Sequence, residues 1–526
     1  MGSRLAQPLQ KHRINLKPIT QIITRSRECI VNSIAKSEKS NLFYIKTERT
    51  FTILRKYAWL FLLIAPLGAW WFPVIGLSII PLMLALTVLA FFNGKYWCGN
   101  ICPHGSLFDG LILSVSKNRR IPKLLKNRWF AGAVFTWFMV MLGLRLYKVL
   151  ALWGDTTFAE RLGYIFTMNY TIVTVVGIVL AITIAPRSWC SFCPMGTMEK
   201  LSYKLGKFLK LNSATDCKVS VAHEEMCHQC GKCSRVCPVQ LAPYLEFDEN
   251  GQFSNENCIR CETCVNNCPA NILTVKNAKI ALNDRENVNL EGYDKKVRTE
   301  AEISKIEDLT EDTRKFTFKL QHGDKMVFKG GQFILLKIHN ELEMFRAYSI
   351  AGFNDDGTEF SVIVKKAPNG FGTGIIFDAF SIGDLIEVNG PMGDEIVIKN
   401  GYSELLFIAG GIGITPFIPL VDEVLKDESI KSVKLVHGVN FKKDFLYQKE
   451  FESKSSSDPR FDYFPVAASC DSWAGEKGFV TDIINKLDIN NSHKVLMCGP
   501  PPMIDASLDV LQIKHVEQEN IYFESA

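Results

Sequence analysis

The sequence predicts a multidomain chain with four folded parts: a four-helix transmembrane domain made of two Cys-bearing hairpin repeats, a small α+β domain, an antiparallel β-barrel domain and an α/β domain. Three observations support this organisation, and the division of the C-terminal segment into a barrel and an α/β domain is implied by the resemblance of its motifs to a known superfamily. Apolar runs lie within residues 51–210, most of the 16 cysteines fall in four tight clusters, and the segment from residue 294 onwards alternates strand-like and helix-like runs. The predicted boundaries are a basic arm (1–50), the transmembrane domain (51–210), the α+β domain (211–290), the barrel (294–398) and the α/β domain (399–526).

Composition excludes several classes of protein. The 60 Lys and Arg residues nearly balance the 55 Asp and Glu residues, and a net charge of +5 does not indicate a nucleic-acid-binding protein. Clustered Cys-x-x-Cys spacing in a chain of 526 residues indicates metal or iron–sulfur ligation, not a small secreted disulfide scaffold. The polar and basic N-terminal arm lacks the apolar core of a cleavable signal peptide.

Four membrane-spanning helices are predicted. Residues 57–92 carry no charged side chain and are long enough for two helices, with a turn at 69–73. A third span runs from Trp129 towards Trp153, and a fourth runs from Leu162 to Ile184. Lys and Arg concentrate in the N-terminal arm, between spans two and three and after span four. Both termini and the soluble domains are therefore expected on the cytoplasmic side of a prokaryotic inner membrane.

An amphipathic segment follows the fourth span. Residues 195–209 place apolar side chains on one helical face and lysines on much of the other. This pattern predicts a helix that lies along the inner face of the bilayer.

Two cysteine runs, CHQCGKCSRVCP (227–238) and CIRCETCVNNCP (258–269), share the pattern C-x2-C-x2-C-x3-C-P. The pattern resembles bacterial-type ferredoxins with two 4Fe-4S clusters, in which the fourth cysteine of each run ligates the other cluster. The resemblance implies two crossed ligand sets. One set is Cys227, Cys230, Cys233 and Cys268, and the other is Cys258, Cys261, Cys264 and Cys237. A pair of structural zinc sites is the alternative.

A different cysteine motif follows each pair of apolar spans. WCGNICPHG (97–105) and WCSFCPMG (189–196) indicate an internal repeat of two helices and one cysteine loop. Its four thiols are the right number for one further iron–sulfur cluster. These thiols are Cys98, Cys102, Cys190 and Cys193. Buried or zinc-binding thiols are the alternative.

The repeat followed by a ferredoxin unit resembles polyferredoxin-type membrane iron–sulfur proteins, the group that serves nitrate and nitrous-oxide reduction and copper-oxidase assembly. Members of that group carry C-x3-C-P in both copies of the repeat. The second copy here is C-x2-C-P, which leaves the type of membrane cluster open.

The C-terminal segment carries six motifs in a fixed order. They are GGQFILL (330–336), RAYSIAG (346–352), NGFGTGI (369–375), NGPMGDE (389–395), LLFIAGGIGITPF (405–417) and VLMCGPPPM (495–503). This order resembles the ferredoxin–NADP reductase superfamily from about residue 294 to 526, and it implies an FAD-binding barrel beside an NAD(P)-binding domain. By this resemblance Arg346 pairs with the flavin phosphate, Tyr348 stacks on the isoalloxazine ring and Ser349 hydrogen-bonds its reactive edge. Gly370 and Thr373 approach the phosphates, and FAD is expected in preference to FMN.

The nicotinamide nucleotide is expected at the glycine turn formed by Gly410, Gly411 and Gly413. Thr415 is expected to cap the following helix and Pro416 to be its first residue, so that the helix N-terminus meets the pyrophosphate.

The superfamily resemblance places Cys498 beside the nicotinamide ring, with Gly499 and Pro500 in the binding set, and places Phe523 over the flavin. Asn440 stands where related NADPH enzymes often carry Arg, which favours NADH. The nearby Lys442 and Lys443 keep NADPH open.

These expectations combine into a membrane-bound NAD(P)H oxidoreductase for electron transport, with Cys498, Tyr348 and Ser349 as its catalytic residues. The expected partners are NAD(P)H, the lipid bilayer and a membrane or extracytoplasmic acceptor, either quinone or protein; a homodimer stays open. One alternative is a membrane-anchored NAD(P)H:ferredoxin or flavodoxin reductase in which no electrons pass through the membrane domain. The other is a redox assembly or sensor protein that reduces a metal.

Overall fold

The computed structural model describes residues 43–212, 215–293, 295–399, 401–469 and 473–525. Most of the predicted basic arm, together with Cys29 and Cys470, lies outside the described residues.

Four helices in the described part of the chain are long and apolar enough to cross a membrane, as predicted. They are Ile53–Trp71, Pro73–Asn93, Arg128–Leu150 and Phe158–Thr183. The first two are separated at Phe72, inside the predicted turn, where Pro73 begins the next helical segment. The first contains a π-helical turn at Leu63–Leu67 around Pro66, because proline lacks the N–H that a regular helix requires.

These helices leave much of their apolar surface uncovered by protein. In the most apolar window of Arg128–Leu150 only 6% is buried, and Trp137 on that helix is 66% exposed. Trp71 and Trp153 are exposed where the helices turn, a position typical of aromatic residues at a bilayer interface. Uncovered apolar surface of this extent is typical of faces that meet a partner or a membrane.

Short helices form the two cysteine loops. Tyr96–Asn100, Pro103–Leu107, Phe108–Ile112 and Leu113–Val115 follow the second span, and Trp189–Ser191 and Pro194–Phe208 follow the fourth. Pro194–Phe208 is the predicted amphipathic helix, with Leu201, Leu205 and Phe208 exposed on its apolar face. Its opposite face is packed against the second span, since a Cβ on Gly206 would lie 2.1 Å from the carbonyl oxygen of Phe91.

The ferredoxin-like segment is a small α+β unit. Strand β1 (Lys218–Val221) pairs antiparallel with β2 (Leu273–Lys276), and the two cysteine runs lie between them in the chain. Helices Lys232–Arg235 and Ala278–Glu286 accompany the strands. Val219, Val221 and Phe253 form the buried core, against which several of the cysteines are packed.

The predicted antiparallel barrel is confirmed. Its six strands are β3 (Val297–Thr310), β4 (Thr313–Leu320), β5 (Phe333–His339), β6 (Met344–Phe353), β7 (Glu359–Lys365) and β8 (Leu385–Met392). They close in the order β3-β4-β7-β6-β5-β8, and helix Phe371–Ala379 joins β7 to β8. Alternate residues of β4, such as Phe316 and Phe318, point into the barrel core.

The C-terminal domain is a parallel six-stranded sheet with the order β12-β11-β10-β9-β13-β14. Its strands are β9 (Glu404–Gly410), β10 (Ser432–Val439), β11 (Phe461–Ala467), β12 (Glu476–Lys477), β13 (His493–Gly499) and β14 (Ile521–Ser525). Helices Phe417–Lys426, Gln448–Ser457, Val480–Lys486 and Pro501–Ile513 alternate with them. The near-continuous burial of β9 is typical of a central parallel strand covered on both faces.

The predicted N-cap role of Thr415 is wrong, and so is the prediction that Pro416 is the first helical residue. A 3-10 turn, Gly411–Ile414, follows β9, and the helix begins only at Phe417 with Pro416 in the N-cap position. The Thr415 hydroxyl donates to the carbonyl of Ile412 at 2.8 Å, so it belongs to the turn and does not cap the helix. A side-chain hydroxyl next to a glycine-rich turn has this competing backbone partner.

Candidate functional site

A cavity of about 540 Å³ lies between the barrel, the parallel sheet and the ferredoxin-like unit. Four residues predicted for the flavin line it: Arg346, Tyr348 and Ser349 from β6, and Phe523 from β14. Three residues predicted for the nicotinamide nucleotide line the same cavity: Gly413, Thr415 and Cys498. Tyr348 presents an aromatic face to a cavity large enough for a ring system. Burial raises the pKa of its hydroxyl well above the ordinary value, so Tyr348 is neutral there.

Two carboxyl groups that the sequence did not predict for this site, those of Glu395 and Glu524, also line the cavity. Glu524 lies beside Cys498, because β14 pairs with β13 in a register that aligns the two residues. Burial, then the neighbouring Glu395, raises the pKa of Glu524 to about 8. Burial, then Glu524, raises the pKa of the Cys498 thiol well above its ordinary value. At neutral pH the pocket therefore holds a protonated carboxyl next to a protonated thiol.

The predicted phosphate-binding residues lie next to Arg346. Gly370 precedes helix Phe371–Ala379, and the Thr373 hydroxyl accepts a hydrogen bond from the Ala367 N–H. A Cβ on Gly372 would lie 2.7 Å from Nε of Arg346, so the helix start and the guanidinium are in contact. A helix N-terminus beside a guanidinium suits a phosphate.

A second cavity, of about 660 Å³, lies at the carboxyl ends of the parallel strands, where ligands bind in open α/β sheets. Gly410, Gly411 and Pro500 line it. Gly499 is close to the same turn, since a Cβ at this position would lie 3.1 Å from the backbone nitrogen of Gly410. We call the first cavity the flavin-type cavity and the second the nicotinamide-type, or nucleotide, cavity. Lys365 lines both, so the two cavities are adjacent.

The charge distribution around the second cavity bears on the choice of nucleotide. Asn440, Asp444 and Lys365 line the cavity, and Lys365 pairs with Asp444 at 3.3 Å. Lys443 instead faces Glu311 at 3.7 Å on the surface. A carboxylate suits a ribose 2′-hydroxyl and repels a 2′-phosphate.

The structure brings the eight ferredoxin-type cysteines together in two groups that match the crossed sets. Cys227, Cys230, Cys233 and Cys268 line one small cavity. In the other group Cys264 lies within electrostatic reach of Cys261, Cys258 and Cys237. Burial raises the pKa of Cys227 and of Cys237 to about 11, so a thiolate at either position needs a bound cation.

Single-ion sites and clusters place their cysteine ligands differently. Among the described residues, no three His, Cys, Asp or Glu side chains lie close enough to hold one metal ion. A zinc site gathers its thiolates around one ion, whereas a 4Fe-4S cluster spreads them over different irons.

The first cysteine group forms part of the flavin-type cavity. Cys230 and His228 line that cavity. Arg346 donates to the carbonyl of Cys230 at 2.7 Å, and the Phe345 N–H donates to the carbonyl of Gln229 at 3.1 Å. The loop that carries three of the four thiols is therefore held directly against the flavin-binding strand.

The four thiols of the hairpin repeat, named membrane thiols here after the predicted spans that precede them, also converge. Cys98, Cys102, Cys190 and Cys193 line one cavity of about 110 Å³. Cys102 and Cys193 both occupy the N-cap position of a helix that begins with proline. Backbone N–H groups of Gly105 and Gly196, three residues on, donate to these two sulfurs. The two copies of the repeat thus present their second thiol in the same way, despite the one-residue difference in spacing.

Each cysteine loop receives a cation from the other copy. Lys95 and Arg187 both stand three residues before the first cysteine of their copy. A Cβ on Gly105 would lie 2.4 Å from Arg187 Nη1, and a Cβ on Gly196 would lie 3.3 Å from Lys95 Nζ. The glycine of each motif therefore has the cation of the opposite copy packed against it, most closely at Gly105.

The second ferredoxin-type group meets the membrane thiols. Cys98 packs with Cys237 and Cys261 in one apolar cluster. A Cβ on Gly99 would lie 1.9 Å from the Ile259 carbonyl oxygen and 3.2 Å from the Cys261 Cβ. No side chain fits between the two backbones at this point, so the two cysteine sites are neighbours.

Comparison with known proteins assigns the domains. The oxidoreductase FAD-binding domain matches residues 300–395 and the oxidoreductase NAD-binding domain matches 407–509. A 4Fe-4S dicluster domain matches 220–288. A 4Fe-4S binding domain matches 75–122 and again 170–212, the two segments that contain the membrane thiols.

Curated relatives are electron-transfer components of oxygenases. The toluate 1,2-dioxygenase electron transfer component of Pseudomonas putida is 28% identical over 226 residues, which are 43% of this chain and 66% of the relative. The corresponding anthranilate 1,2-dioxygenase component of Acinetobacter baylyi is 24% identical, over 60% of this chain and 88% of the relative. This chain thus spans just under two thirds of the first relative and most of the second.

Among solved structures, the Amycolatopsis cytochrome P450 reductase GcoB is similar at a TM-score of 0.41, with 24% identity over 44% of this chain and 70% of that one.

Proposed function

Starting from a chain with C-terminal FAD- and NAD-binding oxidoreductase domains and N-terminal 4Fe-4S domains, we propose a membrane-bound NAD(P)H oxidoreductase that sends electrons into the bilayer. A flavin held by Arg346, Tyr348 and Ser349 would supply the conversion of a two-electron hydride into single electrons, and iron–sulfur clusters held by the ferredoxin-type and membrane cysteines would supply one-electron transfer. The acceptor is a membrane or extracytoplasmic quinone or protein.

One observation carries this proposal: each candidate site shares a residue with the next or lies against it. Lys365 lines both the nicotinamide-type and the flavin-type cavity. Cys230 lines the flavin-type cavity and belongs to the first cysteine group. The two ferredoxin-type groups are neighbours, because Cys264 of the second group lies within electrostatic reach of Cys233 of the first. Cys261 of the second group packs with Cys98 of the membrane site. The sites therefore form one continuous series from the nucleotide to the membrane.

The residues have distinct proposed roles. Cys498 lies at the end of β13 where a nicotinamide ring would enter, and Tyr348 and Ser349 orient the flavin ring from β6. Arg346 and the start of helix Phe371–Ala379 hold the phosphates. NADH is the proposed substrate, because Asn440 and Asp444 line the nucleotide cavity, Lys443 faces away from it, and Lys365, the cation that lines it, is paired with Asp444.

The bilayer is proposed from the four apolar helices and their uncovered outer faces. Basic residues flank the ends that carry the cysteine loops, so those loops and the soluble domains are placed on the cytoplasmic side. A homodimer remains a prediction.

The test is the iron and acid-labile sulfide per flavin, measured on the anaerobically purified full chain and on a Cys98→Ser/Cys190→Ser variant. Two ferredoxin clusters account for about eight irons, and a membrane cluster adds about two to four. The proposal expects about ten to twelve irons in the wild type and about eight in the variant. Equal values near eight would remove the membrane cluster from the proposal.

A second candidate function is favoured by the relatives, whose printed names describe electron-transfer components of oxygenases. In this reading the helices are an anchor and the acceptor is a soluble oxygenase component or ferredoxin. The Cys98→Ser/Cys190→Ser variant separates the two functions. If the chain is an anchored reductase, the variant matches the wild type both in NADH-driven reduction of a soluble ferredoxin and in reduction of a quinone in proteoliposomes. If the chain uses the membrane route, the variant loses the reduction of the quinone and keeps the reduction of the soluble ferredoxin.

A further inference from the structure

Three buried guanidinium groups lie between the membrane thiols and the second ferredoxin-type group. Arg49, Arg55 and Arg187 have side chains that are 1–2% exposed, and all three contact the fully buried carboxylate of Asp109. Arg187 Nη2 and Arg55 Nη2 approach Oδ2 at 2.6 and 2.7 Å, and Arg49 Nη1 approaches Oδ1 at 3.5 Å. The Asp109 carboxylate is thus the shared counter-ion of all three guanidinium groups.

The remaining donors of two of these arginines point at the two cysteine sites. Arg187 Nη1 donates to the carbonyl of Cys98 at 2.9 Å and lies 3.8 Å from the sulfur of Cys190. Arg55 Nη1 donates to the carbonyl of Cys261 at 2.9 Å. Asp109 therefore ties one guanidinium from each site to a common anchor.

The local charge is unbalanced without a further anion. Three cations in contact with one anion leave a net charge of +2 in this buried cluster, and Nε of both Arg49 and Arg55 lacks a hydrogen-bond partner among the residues that the structure describes. Buried charge of this kind is stable only when it is compensated. Iron–sulfur clusters ligated by thiolates are anionic, and a positive charge near such a cluster favours its reduced form.

We propose that Arg187 and Arg55, joined through Asp109, form a positively charged bridge between the two cysteine sites. The bridge compensates anionic clusters on both sites, raises their midpoint potentials and fixes their relative position. Arg187 acts on the membrane site and Arg55 on the second ferredoxin cluster, so both are positioning and tuning residues. The inference rests on the proposed membrane cluster.

The test is an anaerobic redox titration of the full chain in detergent, followed by electron paramagnetic resonance, with iron content measured on the same samples. In Arg187→Gln the reduction equilibrium of the membrane cluster is expected to shift about tenfold towards the oxidised form, which is about 59 mV for one electron. Arg55→Gln is expected to shift the second ferredoxin cluster in the same direction and to move the membrane cluster less.

Charge-conserving and distant variants serve as controls. Arg187→Lys keeps the charge and is expected to keep the midpoint potential near the wild-type value. Arg128→Gln removes an arginine that stacks on Trp129 at the start of the third span and contacts neither site, so no midpoint potential is expected to move.

The outcomes separate this inference from the proposed function. If the wild type holds no membrane iron, the proposed function fails, and this inference fails with it. If the iron is present but neither glutamine variant shifts a midpoint potential, the bridge is refuted while the function stands. If Arg187→Gln loses the membrane iron, the Arg187→Lys sample decides: retained iron with the wild-type potential supports compensation by charge, and lost iron refutes it.

Discussion

Replacing the single carboxylate of the buried arginine cluster should strongly destabilise the N-terminal half of the chain. In Asp109→Asn the shape is conserved but the negative charge is lost, so Arg55 and Arg187 keep their burial without a counter-ion. At contact distances of 2.6 and 2.7 Å and an effective dielectric constant of about 20, each ion pair contributes about 6 kcal/mol of Coulomb attraction.

Much of that attraction is offset in the folded chain by the desolvation of the ions. Removal of one partner from a buried ion pair typically costs about 3–5 kcal/mol. We expect a loss of that size for Asp109→Asn. It is a large part of the roughly 5–15 kcal/mol by which a domain is stable.

The assay is thermal unfolding of the purified chain in detergent with two probes. Tryptophan fluorescence follows the helical half, which contains most of the tryptophans, and flavin fluorescence follows the FAD-binding half as an internal reference. Asp109→Asn should lower the first transition and leave the second in place. Asp155→Asn is the matched control, because Asp155 lies exposed in a loop and accepts the Thr157 N–H through an oxygen that asparagine retains. An unchanged first transition in Asp109→Asn would refute the claim that this carboxylate holds the buried guanidiniums.

Three further predictions concern the C-terminal half. Cys498→Ala should slow NADH-dependent flavin reduction about 10–100-fold in stopped-flow traces, with unchanged FAD content, because the ring of the nicotinamide loses a packing wall. Glu524, with a folded pKa of about 8 against an ordinary value of 4.5, keeps a proton that the unfolded chain loses. The apoprotein should therefore lose stability as pH rises from about 4.5 to 8, and Glu524→Gln should flatten that slope in melting curves. NADH should be preferred over NADPH by kcat/KM, and an Asn440→Arg/Asp444→Asn double variant should reduce the preference at least about tenfold; a variant that keeps the wild-type ratio would contradict the placement of the ribose.

The sequence predicted the elements whose signal is local. Apolar length predicted the four spans, and cysteine spacing predicted which thiols gather, because three ligands of each cluster stand on one tight loop. The crossed position of Cys237 and Cys268 came from family resemblance, since spacing alone cannot say which run supplies the fourth ligand.

Other features depend on packing that a single sequence does not reveal. Glu524 is next to Cys498 only because β14 pairs with β13 in that register. The cation before each membrane cysteine was readable, however: KYWC and RSWC both place it three residues ahead, and Lys95 and Arg187 both pack across the repeat. Asp109, a lone carboxylate in an apolar stretch, gave a similar signal.

A membrane route for electrons and a plain anchor place different requirements on the interior of the helical domain. An anchor needs apolar outer faces on its helices, and it has no need for a charged interior. Here the helices bury Arg187 and Asp109 beside four thiols, and Gly99 allows the second ferredoxin-type loop to contact the membrane loop without an intervening side chain. Buried charge without compensation is destabilising. Under the proposed function this charge is compensated, because both neighbouring cysteine sites hold anionic clusters and electrons pass from one site to the other.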